Sequence, residues 1–437
     1  MKDRFRPVPQ SRLGRFAAFG QLAGGVATGV LGEGLRRLAK GERPHLSDLL
    51  LTPSNALKVT EQLSRLRGAA MKLGQMLSLD AGDMLPAELT TILAQLRDAA
   101  HFMPPHQLER ALGSAWGPDW RRHFSQFDNT PIAAASIGQV HRARLTSGQE
   151  LAVKVQYPGI AKSIDADVDN VATLLRMSGL LPAGLDIAPL LLEAKRQLHE
   201  EADYLREADQ MRRYSEHLAG DSRFALPKPY DDLLRPTVLP MDFLAGVPIE
   251  NLTSRTQAQR QASTEALLDL LLQELFVFGL MQTDPNFANY RWEPQTGRII
   301  LLDFGATRPV SADTSGSYRN ILRAGLAGDA DAVRHALIMI GFLSQAQASR
   351  HRSSLDRMIG IGLRHVNESP DGLFDFADRS FVATIRDQAA PLIADRASWR
   401  LPPPDTIFIQ RKISGTALLF TRLQARLPLT AKLATYI

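Results

Sequence analysis

The sequence predicts an α+β protein of two lobes, and three observations carry that reading. Two short alternating segments, IGQVHRARL and ELAVKVQ, are joined by the turn signal TSGQ and read as an antiparallel sheet. Helical spacing flanks this sheet, from about 55 to 115 and from 160 to 220. STEALLDLLLQELFVFGL (263–280) is apolar on nearly every side and reads as a buried core helix of a mostly helical second lobe. A helical extension, a small sheet with helices and then a helical lobe make a bilobal order.

The composition fits. The 437 residues are 44% hydrophobic and 22% charged, a globular balance with room for two or three domains. The chain has no cysteine, which excludes disulfides and thiolate metal sites within it and is compatible with a reducing compartment. A net charge of +5 and a pI near 9.5 are mildly basic. The charge is dispersed, with no Lys/Arg run interleaved with aromatics, so nucleic acid is not an expected partner. A weak attraction to anionic lipid is the better use of that excess.

Residues 1–40 form a basic, Gly/Ala-rich segment. MKDRFRPVPQSRLGR lacks the immediate apolar core and small-residue cleavage site of a signal peptide. FAAFGQLAGGVATGVLG (16–32) is uncharged, yet short for a bilayer span and diluted by Gly, Gln and Thr. Its Gly20/Gly24 and Gly25/Gly29 steps suit a helix packed on the protein itself. They suit equally a membrane-surface segment or a helix-pairing segment that joins two copies as a homodimer. GERPHLSD reads as a linker that opens a helical extension, 41–115, broken near Met84–Pro86 and Met103–Pro105. Residues 116–245 are the first lobe and end on VLPMDFLAG (238–246), a buried strand leaving into a turn. Residues 246–437 are the second lobe, with a short buried strand at RIILLDFG (298–305) and a Pro-rich break at LPPPD (401–405).

The chemistry concentrates at MQTDPNFANY and LLDFG. Asp284 is followed five residues on by Asn289, and Asp303 ends a strand. Phosphoryl transfer uses this spacing: the first Asp orients or deprotonates the attacking hydroxyl or water, and the Asn and second Asp hold Mg²⁺ on the phosphates. Oxygen ligands suit that hard cation. Lys154, alternating with Leu151, Val153 and Val155 in LAVKVQ, is then the phosphate lysine. It needs a carboxylate beside it. HEEADYLREAD offers Glu201 and Glu207, with Asp203 nearby, and the expectation falls on Glu201.

These stretches, with MKLGQMLS and AAASIGQVH, resemble the UbiB/ADCK family of atypical protein-kinase-like ATPases, in its ubiquinone-biosynthesis branch. The resemblance runs from VPQSRLGR to LPPPDTIFIQRK. It implies a protein-kinase-like fold with an N-terminal helical extension packed over the active site. Lys72, Gly74 and Gln75 match the KxGQ motif of that extension, which fills the space a protein substrate would need. Ala133, Ala134 and Ala135, with Ser136 and Gly138, match the alanine-rich nucleotide loop, and Lys154 matches the phosphate lysine. Glu201 and Asp203 match the ExD motif, the Glu pairing with the lysine and the Asp meeting the extension. Asp284 matches the catalytic position, and Asn289 and Asp303 match the metal ligands. Backbone groups of Asp242, Phe243 and Leu244 match the hinge that reads adenine.

Departures from ordinary protein kinases point away from peptide substrates. Gln282-Thr283-Asp284 stands where His-Arg-Asp would, and no Ala-Pro-Glu follows Asp-Phe-Gly within reach. The alanines, stiffer than glycine, should hold amides off the phosphates and alter the balance of ATP and ADP. The expected function is an ATPase that binds Mg²⁺ with ATP or ADP and supports ubiquinone biosynthesis at a membrane, acting on lipid intermediates or the enzymes that modify them. The alternatives are a true protein, lipid or small-molecule kinase and a non-catalytic nucleotide-gated scaffold or lipid-binding module. The Arg/Ala-rich composition without an evident transit peptide suits the cytoplasmic face of a bacterial inner membrane, or the matrix side in a mitochondrion.

Overall fold

The computed structural model describes residues 102–177, 187–395 and 403–437. The expected KxGQ helix and the 16–32 segment lie outside them. The chain divides into two units, the first running to Arg212 and resuming over Pro227–Phe243. The second holds Arg213–Leu226 and Leu244–Ile437.

In the first unit, helix α1 (Pro105–Trp116) opens with proline, whose missing N–H costs nothing in a first turn. It stops at Gly117, whose φ of 90° only glycine adopts readily. Strands β1 (Phe124–Phe127), β2 (Ala133–Ala134), β3 (Gly138–Leu145) and β4 (Glu150–Gln156) follow. Helices α2 (Ile164–Met177), α3 (Ala188–Glu201) and α4 (Tyr204–His217) come next, the last turn of α4 being counted with the second unit. The short strand β5 (Phe224–Ala225) belongs to the second unit, and the chain returns with β6 (Val238–Asp242). The sheet is antiparallel, in the order β1-β3-β4-β6, with β2 also paired to β3. Strand β4 is buried on both faces: Leu151, Val153 and Val155 on one, Ala152, Lys154 and Gln156 on the other. Lys154 is therefore not on a solvent face.

The second unit continues with β7 (Val247–Pro248), α5 (Gln257–Gln273), a π-helical turn at Glu274–Phe278, and β8 (Leu280–Gln282). Strands β9 (Tyr290–Trp292), β10 (Ile299–Leu301) and β11 (Thr307–Pro309) follow. One sheet runs β5-β10-β9-β7, and β8 pairs with β11. Helices α6 (Ala312–Leu326), α7 (Ala330–Met339), α8 (Gln345–Arg350), α9 (Arg352–Asn367), α10 (Ser380–Ala394), α11 (Pro404–Arg422) and α12 (Leu429–Ala434) complete it. A two-residue pairing of β12 (Phe374–Asp375) with β13 (Arg426–Leu427) lies among them.

The helix expected over 263–280 differs at both ends. It begins at Gln257, because Thr256 and Gln259 form a reciprocal capping box. It gives way at Glu274 to the π turn, and Gly279, left-handed at φ 59°, turns the chain into β8. Its interior is buried as expected, through Leu267, Leu268, Leu270, Leu271 and Leu272. At its end Glu274 accepts from Tyr214 Oη at 2.8 Å and faces Lys412 Nζ at 3.2 Å. Burial pulls the Lys412 ammonium down, but Glu274 and the Tyr290 hydroxyl more than offset this and hold it charged above the usual lysine range.

Candidate active site

Lys154 Nζ donates to both carboxylate oxygens of Glu207, each at 2.9 Å. Both residues are buried, and the ammonium also lies 5.3 Å from the Tyr204 ring centroid. Burial in this form is stable only because the charges meet with two hydrogen bonds. Of the two acids that the sequence offers for the lysine, Glu201 and Glu207, the one that makes this two-pronged pair is Glu207. HEEADYLREAD is not one helix. It ends α3 at Glu201 and restarts α4 at Tyr204, with Asp203 capping: Arg206 N donates to Asp203 Oδ1 at 3.0 Å. The break places Glu207 in the first turn of α4, against Lys154. Glu201 accepts from Ser136 Oγ at 2.5 Å and so ties the alanine-rich loop to α3.

That loop is a hairpin. Ala133 and Ala134 pair with Val140 and Gln139, and Ala135 N donates to Gly138 O at 2.9 Å. No residue from 133 to 138 has positive φ, so the conformation needs no glycine for its dihedrals. Gly138 is required for a different reason. A Cβ there would collide with Val155 O on β4 and sit 2.9 Å from Tyr204 Oη. The close approach of β3 to β4, one residue from Lys154, depends on its bare backbone.

At the expected hinge, Asp242 N donates to Lys228 O at 3.0 Å and Phe243 N to Glu150 O at 3.1 Å. The Asp242 carboxylate accepts from Gln149 Nε2 and from Lys228 N, and Arg142 stacks over Phe243 at 4.6 Å. These two N–H groups are thus engaged within the fold. Leu244 begins the second unit.

In the second unit the structure brings Asp284, Asn289 and Asp303 together. Leu302 N donates to Asn289 O at 3.0 Å, extending the β9–β10 pairing and setting Asp303 beside Asn289. Thr283 donates twice to Ala306 O, from N at 3.1 Å and Oγ1 at 2.7 Å, which draws Asp284 toward the Asp-Phe-Gly turn. Asp284 Oδ1 accepts from Asn286 N at 3.3 Å, Asp303 Oδ1 from Gly305 N at 3.0 Å. Asn289 Nδ2 donates to Asp284 O at 3.3 Å, so its amide oxygen is the atom left to meet a cation. Among the described residues no three His, Cys, Asp or Glu gather as a metal cluster. A sparse pair of hard oxygen donors nevertheless fits Mg²⁺, which keeps much of its octahedral shell for water and phosphate.

Glu207 is the second of the two acids that the sequence offers for Lys154. The signal for it was there: Glu-Ala-Asp contains an Asp able to start a new helix, and Glu207 lies four residues beyond that Asp.

Residues 95–337 match the family described as the ABC1 atypical kinase-like domain. The chain is 35% identical over 419 residues to the Saccharomyces cerevisiae protein named atypical kinase COQ8, mitochondrial, covering 96% of this chain and 83% of that one. It is 35% identical over 432 residues to rat atypical kinase COQ8B, mitochondrial, covering 98% of this chain and 80% of the relative. Among solved structures, the Rv3197–erythromycin complex from Mycobacterium tuberculosis aligns with a TM-score of 0.58 at 27% identity, over 86% of this chain and 93% of that one. The chain belongs to the ABC1 atypical kinase-like family, the UbiB/ADCK group of ATP-dependent kinase-like enzymes.

Proposed function

We propose that this chain is a Mg²⁺-dependent ATPase that supports ubiquinone biosynthesis at a membrane and does not phosphorylate peptides in trans. The observation that carries the reading is the buried, two-pronged Lys154–Glu207 pair in the first unit. A lysine so held is a fixed point charge, suited to the phosphates of ATP or ADP. In its assigned role Glu207 holds that lysine. Glu201, through Ser136, steadies the Ala133–Gly138 hairpin over the nucleotide. Asp284 orients the attacking water, and Asn289 and Asp303 provide the metal's protein ligands. When bound there, Mg²⁺ neutralises charge on the phosphates. Lys72, Gly74 and Gln75, with Asp203, are assigned by resemblance to the extension that occludes a protein substrate.

The quinone pathway rests on the family resemblance. A membrane-peripheral place follows from it: the cytoplasmic face of a bacterial inner membrane, or the matrix side in mitochondria. Among the described residues no helix is long and apolar enough to cross a membrane. The role of residues 16–32 as a lipid or homodimer contact is part of the same proposal. Flotation on anionic vesicles with and without residues 1–40 tests it, and equal behaviour of the two forms removes it.

The decisive assay compares free phosphate release with labelled transfer to lipids, metabolites and proteins. The expected result is phosphate release that requires Mg²⁺ and is lost in Asp303→Asn. Robust transfer to a protein, abolished by the same substitution, overturns the ATPase reading. Quinone profiling of a deletion strain, complemented with wild type or Asp303→Asn, tests the pathway; a normal quinone pool in the deletion removes it.

A further inference from the structure

The segment that carries Asp284 and Asn289 is held at both ends by one buried ammonium. Lys412, on α11, is 2% exposed. Its Nζ donates to Tyr290 Oη at 2.9 Å, one residue after Asn289. It lies 3.4 Å from Gln282 Oε1, two residues before Asp284. Glu274, its charge partner at 3.2 Å, also accepts from Gln282 N at 3.2 Å. The pair therefore grips the side chain and the backbone of Gln282 as well as the side chain of Tyr290.

A second contact is independent of charge. Gly415, three residues along α11, faces Pro285, and a Cβ on Gly415 would fall well inside contact distance of Pro285 Cβ. Pro285, Tyr290, Lys412 and Gly415 line a cavity of only about 10 Å³, so the loop has little room to shift. Replacing a buried ion pair with apolar groups of similar shape is often neutral or stabilising. Stability alone is thus a poor reason for Lys412–Glu274 to be here, directly under the Asp284–Asn289 loop.

We infer that Lys412, anchored by Glu274, is a positioning residue that sets Asp284 and Asn289, and that Gly415 seats the middle of the same loop. The inference rests on the proposed roles of Asp284 and Asn289. It makes α11, far along the chain, part of the machinery that fixes the metal-binding geometry.

The test uses the full chain in three forms: wild type, Lys412→Met/Glu274→Gln, which removes both charges, and Gly415→Ala, which leaves them. Melting temperature, amide exchange over residues 280–292, and ADP affinity with and without Mg²⁺ are measured. In both variants exchange over 280–292 is expected to rise about tenfold while exchange elsewhere stays near wild type. The gain in ADP affinity from Mg²⁺ is expected to fall about tenfold, with metal-free ADP affinity changed less than about twofold. A folded double variant with wild-type exchange and metal gain overturns the positioning role, since the pair is then structural only. If the double variant does not fold, Gly415→Ala decides in the same way. If wild type shows no gain from Mg²⁺, the metal roles of Asn289 and Asp303 fail, and the local exchange result still decides positioning.

Discussion

Lys154 loses its water on a strand that is buried on both faces, and Glu207 replaces that water with two charge-assisted hydrogen bonds. Removing one partner leaves an uncompensated buried charge. Glu207→Ala is therefore expected to destabilise the chain by about 3–5 kcal/mol in urea unfolding and to abolish phosphate release. Glu201→Gln leaves the Lys154–Glu207 pair in place and is expected to cost less stability; equal losses from both would give Glu201 an equal share in holding the lysine. A second buried group makes stability depend on pH. His141 donates from Nδ1 to Asp128 O at 2.7 Å, and its Nε2 meets the Gln139 amide nitrogen at 2.8 Å. A proton on Nε2 would face that donor in a buried site. Burial pushes the His141 pKa down to about 4, against the pull of the Asp128 carbonyl and charge. The folded state thus prefers neutral imidazole, while the unfolded chain takes up a proton below 6.5. The contribution is full above pH 6.5 and is lost as pH falls toward 4, about 3 kcal/mol in all. Urea midpoints at pH 7 and pH 5 should differ for wild type and differ less for His141→Gln.

The β2–β3 hairpin and its seat on β4 are set by one missing Cβ. Gly138→Ala pushes β3 away from Val155 or shifts Tyr204, which also flanks Lys154. The expected cost is about 1–3 kcal/mol with weakened ADP binding, measured by denaturation and titration. Ala134→Gly adds no needed dihedral freedom in a paired strand position and should cost about 0.5–1 kcal/mol through backbone entropy. Alternation in ELAVKVQ and the turn at Gly148 made the sheet legible in the sequence, as the Asp284/Asn289/Asp303 spacing made the second-unit cluster legible. Local pattern carries those features. Which acid makes the two-pronged pair with Lys154 was not legible, because a helix restart at Asp203 resets which face each acid presents, and the break is only two residues long. The role of α11 was hidden for another reason. Ile409, Lys412, Thr416, Leu419 and Leu423 lie on one buried stripe, and nothing along the chain says what a lysine in that stripe meets. Its partners, Glu274, Gln282 and Tyr290, are more than a hundred residues away in sequence.

At the scale of the molecule, Lys154 belongs to the first unit, and Asn289 and Asp303 belong to the second. A ligand that binds only the folded chain raises its stability by mass action, about 2.7 kcal/mol at a hundredfold excess over Kd. For one cooperative unfolding of 437 residues the melting temperature should then rise by about 3 °C, since the unfolding entropy scales with chain length. If the units melt separately, calorimetry shows two transitions, and each is followed on its own. The contributions separate by crossing ligand with substitution. Wild type should gain more from ADP with Mg²⁺ than from ADP with EDTA. Asp303→Asn should erase that difference while keeping the metal-free shift, because the carboxylate acts only through the cation. Lys154→Met should shrink both shifts if the lysine meets the phosphates in its proposed role. Equal shifts in wild type with and without Mg²⁺ would remove the metal role from Asp303. Undiminished shifts in Lys154→Met would remove the phosphate role from the buried lysine and leave its pairing with Glu207 as packing alone.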